Sequence, residues 1–191
     1  MTSSLLLFSF LLCGQNEQME YSIYLIGDAG ASTYKDSVMN NLHYALSKED
    51  SNSTIVFLGD NVYPIGLTNK DSKDRRVGEE VLDVQLSRLN SFKGQTVVLP
   101  GNHDYARGHK QGAQNIKNQA LYVNKLLGDS TFKPYNGCPD PVELHLSENI
   151  VMIVLDTEWP LYAFQNTEQL TDCACKTDNH MFLALQDIIT R

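Results

Sequence analysis

Three times in this 191-residue chain a strand-length apolar run breaks off into a short cluster rich in side-chain oxygens. Residues 22–26 lead into Gly27-Asp28-Ala29-Gly30, and residues 54–58 into Gly59-Asp60-Asn61-Val62-Tyr63. Residues 96–100 lead into Gly101-Asn102-His103-Asp104. Each run is β-branched or aliphatic, and each cluster falls where a strand would end. In an open α/β sheet, ligands bind beyond the carboxyl ends of the strands. The order of the runs therefore predicts that Asp28, Asp60, Tyr63, Asn102 and His103 meet at one rim.

The intervals between the runs carry helical periodicity. Residues 36–48 place Val38, Leu42, Ala45 and Leu46 on one face. Residues 79–90 do the same with Val81, Leu82, Leu86 and Leu89, and a third helix is expected over 114–127. This β-α-β-α-β-α rhythm is the pattern of a parallel sheet. Past residue 132 the rhythm changes. Residues 142–146 and 150–155 flank Ser147-Glu148-Asn149 and read as an antiparallel hairpin added to the sheet. A loop over 156–179 follows, holding Trp159, the one tryptophan, and then an amphipathic helix from about residue 180. A further strand normally follows such a helix, so the sequence reads as the front portion of a domain.

Composition narrows the function classes. A length of 191 residues suits one domain, and 42% hydrophobic with 20% charged residues is ordinary for a globular protein. A formal net charge of −8 argues against a nucleic-acid partner. Residues 5–12 have the length of an export-signal core and are too short to span a bilayer. Cys13 follows directly and invites lipidation, although Leu12 is bulky for such a cleavage site and no Lys or Arg precedes the run. Residues 1–18 are accordingly expected to be a signal or lipoprotein segment and 19–191 the folded domain, exported to the periplasm, cell envelope or exterior. In an oxidising compartment Cys138 is expected to bridge to one member of the Cys173-Ala174-Cys175 pair.

Asp and Asn oxygens suit hard or borderline cations, and a carboxylate can bridge two of them. Two metals about 4 Å apart grip a phosphoryl group and activate water for in-line attack. The ordered trio of clusters resembles the calcineurin-like metallophosphoesterase family, most closely its purple acid phosphatase-like branch. Many members of the wider family carry His two residues after the first Asp, where this chain has Gly30. The purple acid phosphatase-like branch uses a Tyr instead, and Tyr63 stands at the matching position.

The resemblance implies a β-sandwich flanked by helices (αββα), here an N-terminal portion of it. It also implies that Asp28 and Tyr63 hold a first metal, that Asp60 bridges and that Asn102 holds a second. His103 would contact the phosphate or act as general acid, with Asp104 orienting its imidazole. Two metal ions are implied, iron at the first site and iron, zinc or manganese at the second, acting on a phosphorylated small molecule or other phosphoester. Of the elements that complete the family's site, Gly-His-x-His does not occur in this sequence, and Val-x-x-His occurs only as Val142-Glu143-Leu144-His145, inside the expected hairpin. Among the remaining histidines His109, in the loop after Asn102, is the substrate-contact candidate. Lys70, Lys73, Arg75 and Arg76 read as a solvated loop rather than a phosphate trap.

Overall fold

A computed structural model describes residues 20–162 and 173–191. Strands β1 (Ser22–Ile26), β2 (Ser53–Phe57) and β3 (Gln95–Val98) form a parallel sheet in the order β1-β2-β3. Helices α1 (Ser37–Leu46), α2 (Arg75–Ser87) and α3 (Gly112–Leu127) follow β1, β2 and β3 respectively. Ile55, Phe57 and Val98 point from the sheet into a core shared with Met39 and Leu46 of α1, Leu86 of α2, and Ile116, Ala120 and Val123 of α3. Burying each such aliphatic side chain contributes about 1.5–3 kcal/mol.

Local chemistry sets the helix starts. Asp36 caps α1 by accepting from the backbone N–H groups of Val38 and Met39. The helix turns Met39 and Leu46 inward, with Leu42 partly packed, and leaves Val38 exposed. Helix α2 begins four residues before the expected Glu79, because the Arg75 guanidinium is satisfied by Glu79 and by the Thr68 carbonyl, both at 2.7 Å. Arg75 is thus buried rather than part of a solvated loop, whereas Lys70, Lys73 and Arg76 are exposed.

The expected hairpin forms, as β4 (Val142–His145) and β5 (Val151–Val154), but it does not extend the parallel sheet. It makes a second, two-stranded sheet whose Val142 and Val154 pack on Val56 and Val97, on the opposite face from the helices. The reason is the burial of β2 on both faces, since Val56 needs apolar cover as much as Ile55 does. Two apolar positions of β1 on the Val56 side, Ile23 and Leu25, remain 44% and 63% exposed.

Two short elements close the described chain: α4 (Trp159–Tyr162), which sinks Trp159 into the helix-side core, and α5 (Asp178–Ile189). Trp159 is therefore a core anchor. Met181 anchors α5, while Phe182, Leu183 and Ile189 are exposed. Cys138 and Cys173 form a disulfide, leaving Cys175 as a buried free thiol. Residues 1–19, with the apolar run and Cys13, lie outside the described residues. No described helix is long and apolar enough to cross a membrane.

Candidate metal and phosphoester site

The three clusters converge at the carboxyl ends of β1, β2 and β3, as the order of the runs requires. Asp28 and Asp60 each have a positive φ, 56° and 54°, a conformation that costs a non-glycine residue about 1–2 kcal/mol. The surrounding backbone holds it. The Asp28 N–H donates to the Gly59 carbonyl, and the Tyr63 N–H donates to the Gly30 carbonyl at 3.0 Å. Gln85, wholly buried on α2, donates to the carbonyls of Ala29 and Asn61, so one side chain ties the first two loops together. The loops meet so closely that a Cβ on Gly30 would lie 2.6 Å from the Asp60 carbonyl oxygen and 2.7 Å from the Tyr63 nitrogen. No side chain fits at that position, histidine included.

The Tyr63 hydroxyl donates to Asp28 Oδ1 at 2.5 Å and lies 3.4 Å from Asp60 Oδ2. Its hydrogen bond to Asp28, then burial and the Asp60 charge, push the phenol well above its ordinary range. Asn102 lies against the same carboxylate. Turned with its nitrogen inward, its amide donates to both Asp60 oxygens at 3.2 Å; turned the other way, its oxygen faces two acceptors. Four side-chain oxygens therefore crowd together, and a phenolic proton, a turned amide and the His103 backbone N–H relieve the repulsion. A cation bound there would do the same work directly, so the donor set fits a hard or borderline metal. An open cleft of about 350 Å³ lies over it, bounded by Asp28, Asp60, Asn102, Thr157 and Glu158 among others. Thr157 and Glu158 were not read from the sequence; they follow β5 with no motif to mark them.

His103 edges against Tyr63, their ring centroids 4.4 Å apart. Its backbone N–H donates to Asp60 Oδ1 at 2.9 Å. Arg107 places a guanidinium nitrogen 3.1 Å from His103 Nε2, and an arginine can only donate. Nε2 is then an acceptor, so Nδ1 carries the hydrogen and donates to the Pro64 carbonyl at 2.8 Å.

That assignment corrects the expected role of Asp104. The partner that orients the His103 imidazole is the Pro64 carbonyl, not a carboxylate. Asp104 is completely buried and accepts instead from the backbone N–H groups of Asn61, Val62 and Gly101 at 2.8–3.1 Å, and from the Asn61 amide at 3.3 Å. Burial raises its carboxyl to about 7, against the lowering effect of those N–H groups. Asp104 is the staple that holds the second and third loops at a fixed separation.

The other histidines lie away from the cluster. His43 Nδ1 meets the Arg88 carbonyl, His145 pairs with Glu143, and His180 sits in the first turn of α5. His109 is exposed where the turn after His103 ends, and Arg107, two residues earlier, is the side chain that reaches His103. Among the described residues, three His, Cys, Asp or Glu ligand atoms converge within 4.8 Å only at Cys138, Asp140 and Cys173, where the disulfide already engages both sulfurs.

A parallel sheet with helices behind it and a cluster of oxygen donors at its carboxyl rim defines a metal-dependent hydrolase scaffold. Residues 21–172 match the model of the calcineurin-like phosphoesterase family, and the chain belongs to that family. Membership carries metal-dependent phosphoester hydrolysis as the general activity and a dinuclear metal centre as its general requirement. Searches of curated proteins and of solved structures each returned no match.

Proposed function

We propose that this chain is the N-terminal, ligand-bearing part of a two-metal phosphatase of the purple acid phosphatase-like branch. The observation that carries the reading is the Gly30–Tyr63 exchange. The backbone at Gly30 has no room for a histidine, and the phenol of Tyr63 reaches the Asp28 carboxylate in its place. Asp28 and Tyr63 would hold the first metal, Asp60 would bridge and Asn102 would hold the second. A phenolate favours trivalent iron at the first position; iron, zinc or manganese suits the second. When bound, the metals polarise the phosphoryl oxygens and lower the pKa of a coordinated water.

The chain's own residues do the rest. The strained loops fix Asp28 and Asp60 before any ligand arrives, and Asp104 and Gln85 keep the loops from drifting. His103 keeps Nδ1–H on the Pro64 carbonyl, which leaves Nε2 as the nitrogen that takes up a proton and delivers it to the leaving alkoxide.

The nitrogen ligands that complete such a centre are not among the residues at this cluster, and further polypeptide would have to supply them. The uncovered Ile23 and Leu25 on β1 support that reading, because such a face is expected to be covered in the working domain. Export through residues 1–18, with Cys13 as a lipid attachment point, belongs to the same proposal, as does a phosphorylated small molecule rather than a nucleic acid as substrate.

With iron, zinc or manganese present, the full protein should hydrolyse 4-nitrophenyl phosphate. Asp60→Ala and Asn102→Ala should each lower kcat/KM at least about 100-fold. Turnover that survives both substitutions defeats the mechanism. A second reading, a non-catalytic domain that keeps the scaffold, is favoured because, among the described residues, His103 is the one imidazole that packs on the cluster. Two metals per 191-residue chain together with robust turnover would reject it.

A further inference from the structure

Among the described residues, Arg107 is the one cation within hydrogen-bonding distance of the His103 imidazole, and an unusual backbone conformation puts it there. Ala106, Arg107 and Gly108 have φ values of 49°, 52° and 78°, three successive left-handed residues of which two are not glycine. Strain of this kind persists only where the surroundings impose it, and it gathers at functional sites.

The surroundings here are specific. Ala106 is wholly buried, and its N–H donates to the His103 carbonyl at 2.8 Å. The Arg107 N–H donates to the carbonyl of Asn102, also at 2.8 Å. Gly108 packs so tightly on Tyr162 that a Cβ would lie 2.2 Å from the ring. Tyr105, just before the turn, is anchored by a buried hydrogen bond of 2.6 Å to Asp156.

The result is an exposed guanidinium that meets one uncharged nitrogen, His103 Nε2, and that forms no ion pair among the described residues. A guanidinium presents five N–H donors in a planar fork that matches phosphate oxygens bidentately. Most of that fork is unused here. It also stands beside a site whose own charge is negative, from Asp28 and Asp60, so a lone cation at its edge favours binding of an anion with charge to spare.

We propose that Arg107 is a substrate-binding residue that grips the non-bridging oxygens of the phosphoryl group, and that it selects phosphomonoesters over phosphodiesters. The selection rests on the phosphatase reading above. A monoester dianion presents one more non-bridging oxygen and one more negative charge than a diester monoanion, so it has more to offer the fork. On binding, the guanidinium exchanges its contact with His103 Nε2 for the phosphate, and Nε2 is left free to face the ester oxygen. No bond is made or broken in this step.

Binding of inorganic phosphate to the full chain in the presence of Mn²⁺, measured by calorimetry, tests the grip without requiring turnover. Arg107→Gln should weaken it about 10- to 100-fold and Arg107→Lys less, with metal affinity and melting temperature unchanged because the side chain is exposed. In parallel, Arg107→Gln should raise KM for 4-nitrophenyl phosphate by a similar factor, with kcat altered far less, and should move KM for bis(4-nitrophenyl) phosphate less than threefold. Phosphate binding that depends on Arg107 in a chain that hydrolyses nothing would support the anion grip while rejecting the hydrolase. Unchanged phosphate affinity, no phosphate binding by the wild type, equal losses on both esters, or a parallel loss of metal binding would each overturn the proposal.

Discussion

Asp104→Ala is the most informative single substitution for the architecture of the site. Three buried backbone N–H groups, those of Asn61, Val62 and Gly101, would lose their acceptor together. Each orphaned buried donor costs about 1–3 kcal/mol, and three of them, partly rescued by water entering the cavity, amount to about 4 kcal/mol. For a domain of this size about 2–4 °C of melting temperature accompanies each kcal/mol, so a fall of about 10 °C is expected. Burial raises this carboxyl from 3.8 to about 7, so the folded state holds a proton that the unfolded chain gives up above about pH 4; urea denaturation at or below about pH 4 isolates the hydrogen-bond loss from that linkage. If Asp104 instead served only to orient the His103 imidazole, stability would hold and activity alone would fall. A loss below about 1 kcal/mol would refute the staple. Asn61→Ala should be strongly non-additive with Asp104→Ala, since the two side chains and the Leu99 carbonyl form one network.

Three further outcomes follow from the same geometry. Asp156, fully buried beneath Tyr105, is raised by burial to about 6. Its folded state keeps a proton that the unfolded chain, at about 3.8, gives up, so its contribution is present below about pH 4 and is lost as pH rises to about 6, by about 3 kcal/mol. Denaturation of Asp156→Asn against pH should flatten that part of the wild-type curve, and an unchanged slope would contradict it. Gly30→Ala should displace the Tyr63 loop and weaken metal affinity at least 10-fold by calorimetric titration, because its Cβ collides with backbone on two sides. Reducing the Cys138–Cys173 disulfide, which closes a separation of 35 residues, should lower stability by about 3–4 kcal/mol in a comparison of melting with and without reductant.

The sequence was most legible where one force dominated. β1 falls where the apolar run predicts, and the rim residues meet because strand order and strand polarity leave no other place for them. Residues 142–155 were legible as a hairpin but not as a separate sheet, because the signal for their position lies in Val56 and Val97, on strands far away in sequence. Asp104 was misread because a Gly-Asn-His-Asp motif shows adjacency and not burial; what decides its role is the row of N–H groups on the Asn61 loop. Arg107 was not legible, because two non-glycine residues in the left-handed region leave no mark in a sequence, and it is the turn they make that brings its side chain to His103.

The central claim is that Asp28, Asp60, Tyr63 and Asn102 together form one metal-binding set. Titration of the purified chain with Fe³⁺, followed by visible absorption, tests it most directly, since a phenolate bound to ferric iron has a charge-transfer band that carboxylates alone do not. A saturable visible band that disappears in Tyr63→Phe, and whose iron affinity collapses in Asp60→Ala, is the predicted result. Tight ferric iron binding with no such band, or a band untouched by Tyr63→Phe, would contradict it.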